Sequence, residues 1–126
     1  MIRKNFSSGA KWEKIVGYSR AVLIGNVLEV SGTTSVQDGQ IIHIGDPYQQ
    51  AKRIIEIADD VINKAGGDLT DVIRTRIYVT DISHWEQVGK AHGEYFASIR
   101  PATTMVEVSA LVDPNMLVEI EFTALL

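Results

Sequence analysis

Residues 46–80, DPYQQAKRIIEIADDVINKAGGDLTDVIRTRIYVT, carry a helix and a strand in succession. Asp46 stands where an N-cap is needed, and Pro47 falls at the first helical position, whose N–H has no intrahelical partner. Gln49 sits where a capping box takes Glu or Gln. Ala51, Ile54, Ile55, Ala58, Val61, Ile62 and Ala65 then recur at three- and four-residue spacing, so one face is apolar. Gly66-Gly67 supplies a left-handed stop. From Asp71 to Thr80 the period becomes two, with Ile73, Thr75, Ile77 and Val79 on one side and Val72, Arg74, Arg76 and Tyr78 on the other. A helix with one oily face, followed by a strand with two unlike faces, makes a helix layer on a sheet the economical packing.

Upstream, Ala21–Ile24 and Val27–Thr33 read as strands turned by Gly25-Asn26, and Ile41–Ile44 reads as a short strand after the Asp38-Gly39 turn. Downstream, Ser83 and Glu86 form a second capping-box pattern. Trp85, Val88, His92, Tyr95, Phe96 and Ile99 follow as a helical stripe that ends near Arg100-Pro101. Two strands complete the chain, Thr103–Leu111 and Leu117–Leu126, joined through Asp113-Pro114-Asn115. The expected fold is a single α+β domain over residues 1–126, a two-layer sandwich with both helices on one face of a mixed sheet.

At 126 residues, 45% hydrophobic and 22% charged, the chain is long enough for one core without staples. The absence of cysteine excludes disulfides, thiolate metal sites and a cysteine nucleophile, and makes the cytoplasm the default location. A net charge of -4 with no basic cluster argues against nucleic acid as a partner. No segment approaches the ~20 apolar residues of a membrane span. His43, His84 and His92 lack metal-ligand spacing, so no metal is expected.

Alternation in the last strand sends Val118, Ile120, Phe122 and Ala124 one way and Glu119, Glu121 and Thr123 the other. Taking Val106 and Val108 as oily leaves Thr103, Met105 and Glu107 on the polar side with Arg74, Arg76 and Tyr78. One reading is a solvated face whose cross-strand ion pairs contribute a fraction of a kcal/mol each. The other is a face covered by further subunits, which accounts better for Met105, Tyr78 and Leu117.

Several segments resemble the YjgF/RidA family. They are Gly17-Tyr18-Ser19-Arg20-Ala21, Val30-Ser31-Gly32-Thr33, Ala65 to Val72, Tyr78 to Ile82, Arg100-Pro101-Ala102, Val106-Glu107-Val108 and Val118-Glu119-Ile120-Glu121. Their order and spacing cover nearly the whole chain. The resemblance implies a chorismate-mutase-like fold and a homotrimer built around a central barrel, with three clefts at the subunit boundaries. It also implies small carboxylate-bearing ligands, no cofactor, and hydrolysis of imines or enamines to carbonyl compounds and ammonia.

The family's carboxylate-anchoring arginine falls at Thr103, its frequent cysteine at Met105 and a cleft asparagine at Gly89. Tyr18, the Ser31-Gly32 backbone and Glu119 match, Glu119 as the carboxylate that orients water. Thr103 and Thr104 can hydrogen-bond an anion, although any strand favours such residues. Arg20, Arg76 and Arg100 are candidate replacement cations, Arg20 first. Against these roles stand pairing of Glu119 with Arg74 or Arg76 as interface structure, and Tyr18 as a packing residue. The resulting functions are a deaminase of altered specificity or a non-catalytic binding, sensing or chaperone-like trimer. Ribonuclease chemistry has little support, since no acid–base histidine pair is evident.

Overall fold

A computed structural model describes residues 1–126. The strands are β1 (Arg3–Phe6), β2 (Ala21–Ile24), β3 (Val27–Thr33), β4 (Val36–Gln37), β5 (Gln40–Ile41), β6 (Val72–Val79), β7 (Ala102–Glu107) and β8 (Val118–Leu125). The helices are α1 (Pro47–Lys64) and α2 (Trp85–Phe96). Six strands form one sheet in the order β1-β2-β3-β8-β6-β7, antiparallel throughout except for the β6/β7 pair. A parallel pair needs a crossover, and α2 provides it. β4 and β5 form a separate small hairpin.

The ends of α1 follow the chemistry of its sequence. Asp46 accepts from the Gln49 N–H at 3.0 Å. At the other end Gly66, at φ 102°, donates to the Asn63 carbonyl, and Gly67 donates to the Ile62 carbonyl. This pair of bonds satisfies the last carbonyls of the helix. Ile54, Ile55 and Ile62 of α1 and Val88 and Phe96 of α2 pack onto Leu28, Ile77, Ile120 and Phe122 of the sheet. Burial of each large side chain contributes about 1.5–3 kcal/mol. No helix is long and apolar enough to cross a membrane.

The structure departs from the sequence reading at several points. The register of β6 against β8 shifts between Val72 and Arg74, so Val72 is buried and Ile73 is 47% exposed, the reverse of simple alternation. Asp81, not Ser83, caps the second helical segment, accepting from the Ser83 N–H at 2.9 Å; a 3-10 turn over Ile82–His84 then leads into α2. The helix ends at Phe96 rather than near Arg100, which lies beyond it at φ 58°. The short strand is Gln40–Ile41 rather than Ile41–Ile44, and strand pairing in β7 stops at Glu107 rather than Leu111. Neither β1 nor the π-helical turn Glu13–Gly17 is marked by periodicity.

The correction with most bearing on function concerns β7. Asp113-Pro114-Asn115 does form a turn, with the Asn115 N–H on Asp113 Oδ1 at 2.8 Å, but β7 does not pair with β8. It lies on the far side of β6, parallel to it, with Thr103 opposite Thr75 and Met105 opposite Ile77. Paired residues share a face, so Thr103, Met105 and Glu107 project toward the helices. Thr104 and Val106 join Arg76 and Tyr78 on the polar face, inverting the expected assignment.

Candidate functional site

The candidate residues fall into two groups on opposite faces of the sheet. The first is built on a β-bulge. Val30 pairs with Phe122 and Thr33 with Ile120, so Ser31 and Gly32 together oppose Glu121. The bulge brings the β3 backbone up to Glu119. A Cβ at Gly32 would lie 2.9 Å from both Cδ and Oε2 of that carboxylate, so glycine is what admits Glu119 to this position. Ser31 is fixed by its hydroxyl, which donates to the Ser19 carbonyl at 2.6 Å, and by its N–H on the Arg20 carbonyl at 3.0 Å.

Arg20 reaches across the same bulge and donates through Nη2 to the Gly32 carbonyl at 2.6 Å. Its Nε is buried and has no partner. Burial lowers the pKa of the guanidinium, while Tyr18, Glu13 and Glu119 act in the opposite sense. Glu119 is half-buried, and its carboxyl pKa is raised, first by burial and then by the charge of Glu121, with Arg20 opposing. Tyr18 is 38% exposed, and its N–H donates to the Glu13 carbonyl at 2.9 Å. Glu13 itself is buried. Although burial acts to raise its pKa, bonds from Ser8 and Ser7 and the charge of Arg20 bring it below the ordinary value.

The charged residues of this face do not pair in the way their alternation suggests. The ion pairs are Lys52–Glu94, Arg53–Glu56, Lys64–Asp60 and His84–Asp81, all away from Glu119. Glu119 therefore has no salt bridge to Arg74 or Arg76. Arg74 donates to Thr104 Oγ1 at 2.7 Å, and the Tyr78 hydroxyl donates to Glu121 Oε1 at 2.7 Å. Two shallow depressions adjoin the bulge. One, of about 520 Å³, is lined by Val22, Ser31, Arg76, Tyr78 and Glu121; the other, of about 570 Å³, by Glu13, Tyr18, Ser19 and Ser31. Neither is lined by Glu119.

The second group lies under the helices. Thr103 Oγ1 is 2.8 Å from Thr75 Oγ1, which is 2.9 Å from His92 Nε2. Met105 packs against the core, and the His92 ring stacks on Phe96 at a centroid distance of 4.6 Å. Gly89, one turn before His92, faces open space. Thus Thr103, Met105 and Gly89, where the chain departs from the pattern it resembles, lie on the helix side. Arg20, Ser31, Gly32 and Glu119 gather on the other. Arg100, exposed and just ahead of Pro101, belongs to neither hydrogen-bonded group. Sequence reasoning placed His92 on an apolar stripe and missed its link to Thr103; the available signal was Thr75, a hydroxyl at a core position of β6.

The family model described as Endoribonuclease L-PSP matches residues 9–126. The 3-aminoacrylate deaminase RutC of Acinetobacter baylyi is 32% identical over 108 residues, 85% of this chain and 85% of that protein. Among solved structures, Rv2704 of Mycobacterium tuberculosis, a member of the YjgF/YER057c/UK114 family, is 46% identical with a TM-score of 0.90, covering 99% of this chain and 100% of that one. YyfA of Yersinia pestis, a protein of the conserved Rid family, is 28% identical with a TM-score of 0.87 over 99% of this chain and 100% of that one.

Proposed function

Because the chain belongs to the YjgF/Rid family, we propose that it binds a small carboxylate-bearing metabolite in clefts between copies of itself and hydrolyses an imine or enamine there. The observation that carries this reading is Glu119, a carboxyl with a raised pKa, half-buried against Gly32 and free of any salt bridge. Raised basicity suits a group that takes a proton from attacking water. An enamine first tautomerises, gaining a proton on carbon and losing one from nitrogen, to become the imine. Water then adds to the imine carbon while Glu119 takes one of its protons and passes it to nitrogen, giving a carbinolamine. The carbinolamine's hydroxyl proton passes by the same carboxylate to the amine nitrogen as the C–N bond breaks, so that the carbonyl forms and ammonia leaves. Arg20, whose half-buried guanidinium lies beside this carboxylate, would take the ligand's acid group. Tyr18 offers a phenol at the same edge.

A homotrimer accounts for the division of the site. Within one chain the sheet separates Glu119 from Thr103, Met105 and Gly89, and a boundary cleft would set one copy's first group against its neighbour's second. The similarity to RutC, named as a 3-aminoacrylate deaminase, supports the enamine class. A cytoplasmic location fits products of that class.

The test is ammonia release from freshly generated 2-iminopropionate and from an aminomuconate-like enamine. The expected result is catalysis above buffer that falls about 100-fold or more in Glu119→Gln. No rate above buffer from an intact assembly would sink the reading for these substrates. One observation favours a non-catalytic binding protein instead: the partners of Thr103 are a hydroxyl and a carbonyl rather than a cation. That alternative predicts ligand-dependent thermal shifts without turnover.

A further inference from the structure

The helix side of the sheet holds a hydrogen-bonded chain that the hydrolytic steps do not use. Thr75 is fully buried in β6, its Oγ1 lying between Thr103 Oγ1 and His92 Nε2 at 2.8 and 2.9 Å. Thr103 Oγ1 in turn lies 3.2 Å from the Pro101 carbonyl. A threonine hydroxyl has one proton to give, and a carbonyl only accepts. With Thr103 donating to Pro101, one direction satisfies every link: His92 Nε2–H to Thr75, Thr75 to Thr103, Thr103 to the Pro101 carbonyl. Burial disfavours the imidazolium, so the ring is neutral, and this direction places its proton on Nε2.

The outermost link is the longest, and Thr103 is the one exposed member of the three side chains. Its proton can turn from Pro101 to an incoming acceptor without leaving Thr75 or His92 unpaired. The Pro101 carbonyl it vacates can then accept from the same ligand. The arrangement therefore offers one donor beside one acceptor, the complement of a primary carboxamide. A carboxylate fits it poorly: a lone neutral donor offsets little of a carboxylate's desolvation, and the Pro101 carbonyl would face a negative oxygen.

We propose that Thr103 and the Pro101 carbonyl form a subsite for a neutral carboxamide, with Thr75 and His92 as positioning residues that keep the Thr103 proton directed outward. The ligand would carry its carboxylate at the opposite end, toward Arg20. The inference rests on the cleft reading above but not on hydrolysis by Glu119.

The test is calorimetric titration of the full-length protein with oxamate, malonamate and succinamate against oxalate, malonate and succinate. The wild type should bind at least one monoamide about three- to tenfold more tightly than its diacid. Thr103→Val and Thr75→Val should each abolish that preference, Thr75→Ser should keep it, and Thr103→Arg should invert it. Nitrogen-15 NMR of the imidazole should show the His92 proton on Nε2. The proposal is overturned if the wild type prefers diacids or binds no monoamide at millimolar concentration, if Thr75→Val keeps the preference, or if the proton sits on Nδ1. Should Thr103→Arg gain diacid binding in such a case, the cleft stands and the carboxamide subsite fails. If no variant at Thr103 changes binding of any probe, the cleft reading fails with it.

Discussion

Glu119 illustrates how a single position depends on features far apart in sequence. Alternation in β8 places it on the polar face, but its close approach to Gly32 goes with the bulge in β3, and a bulge leaves no periodic trace. The raised pKa has a stability consequence. An acid whose folded-state pKa exceeds its unfolded value holds its proton more tightly in the native protein. Its contribution is most favourable below the ordinary carboxylate range and is lost as pH rises through the raised folded value. Glu119→Gln removes this dependence. The variant should match the wild type at acid pH and become the more stable of the two toward neutrality, while losing activity. Urea denaturation midpoints across that range check the sign, and a Glu119→Gln protein destabilised at neutral pH would mean that Glu119 is held by favourable charge interactions instead.

At the level of elements, α1 was legible because its signals are local: a cap, a proline, a 3.6-residue stripe and a glycine stop all lie within the segment they define. The polar face of β6 and β8 was legible for the same reason. The sides of β7 were not, since period two identifies two faces without saying which is buried, and the choice depends on whether β7 pairs with β8 or crosses to the far side of β6. The Asp113-Pro114-Asn115 turn suggested the first arrangement, and the α2 crossover produces the second. Gln50 was missed because a polar residue on an apolar stripe carries no label for its partners. It is buried, donates to the His43 carbonyl at 3.2 Å and the Asn115 carbonyl at 2.9 Å, and accepts from the Leu117 N–H at 2.9 Å. The side chain thus ties the loop before α1 to the start of β8. Gln50→Ala should cost about 3 kcal/mol, read from the denaturant midpoint. Gln50→Met, which keeps most of the volume, should cost nearly as much; if it is neutral, packing and not hydrogen bonding is what Gln50 supplies.

For the whole molecule, the outstanding feature is apolar surface left uncovered in the single chain. Trp12, Ile15 and Val16 are 54%, 69% and 70% exposed around the π-helical turn, and Val106 is 42% exposed beside Tyr78 on the polar sheet face. Soluble monomers rarely leave large contiguous apolar patches open. The sheet face also carries Arg76, Glu119 and Glu121 without ion pairs, as expected if its charged groups find partners in another copy. If the proposed trimer buries the sheet face bearing Val106, that face is where it can be tested. In that trimer Val106→Glu would place a carboxylate beside Tyr78 and against a neighbouring chain, where an unpaired charge costs several kcal/mol. In an isolated chain the same substitution lies on an exposed edge strand and should leave the fold intact. Sedimentation equilibrium should therefore show three chains for the wild type and one for Val106→Glu, with unchanged circular dichroism. A Val106→Glu protein that still sediments as three chains would move the boundary off this face, toward Trp12, Ile15 and Val16, and Ile15→Glu would then be the variant expected to dissociate.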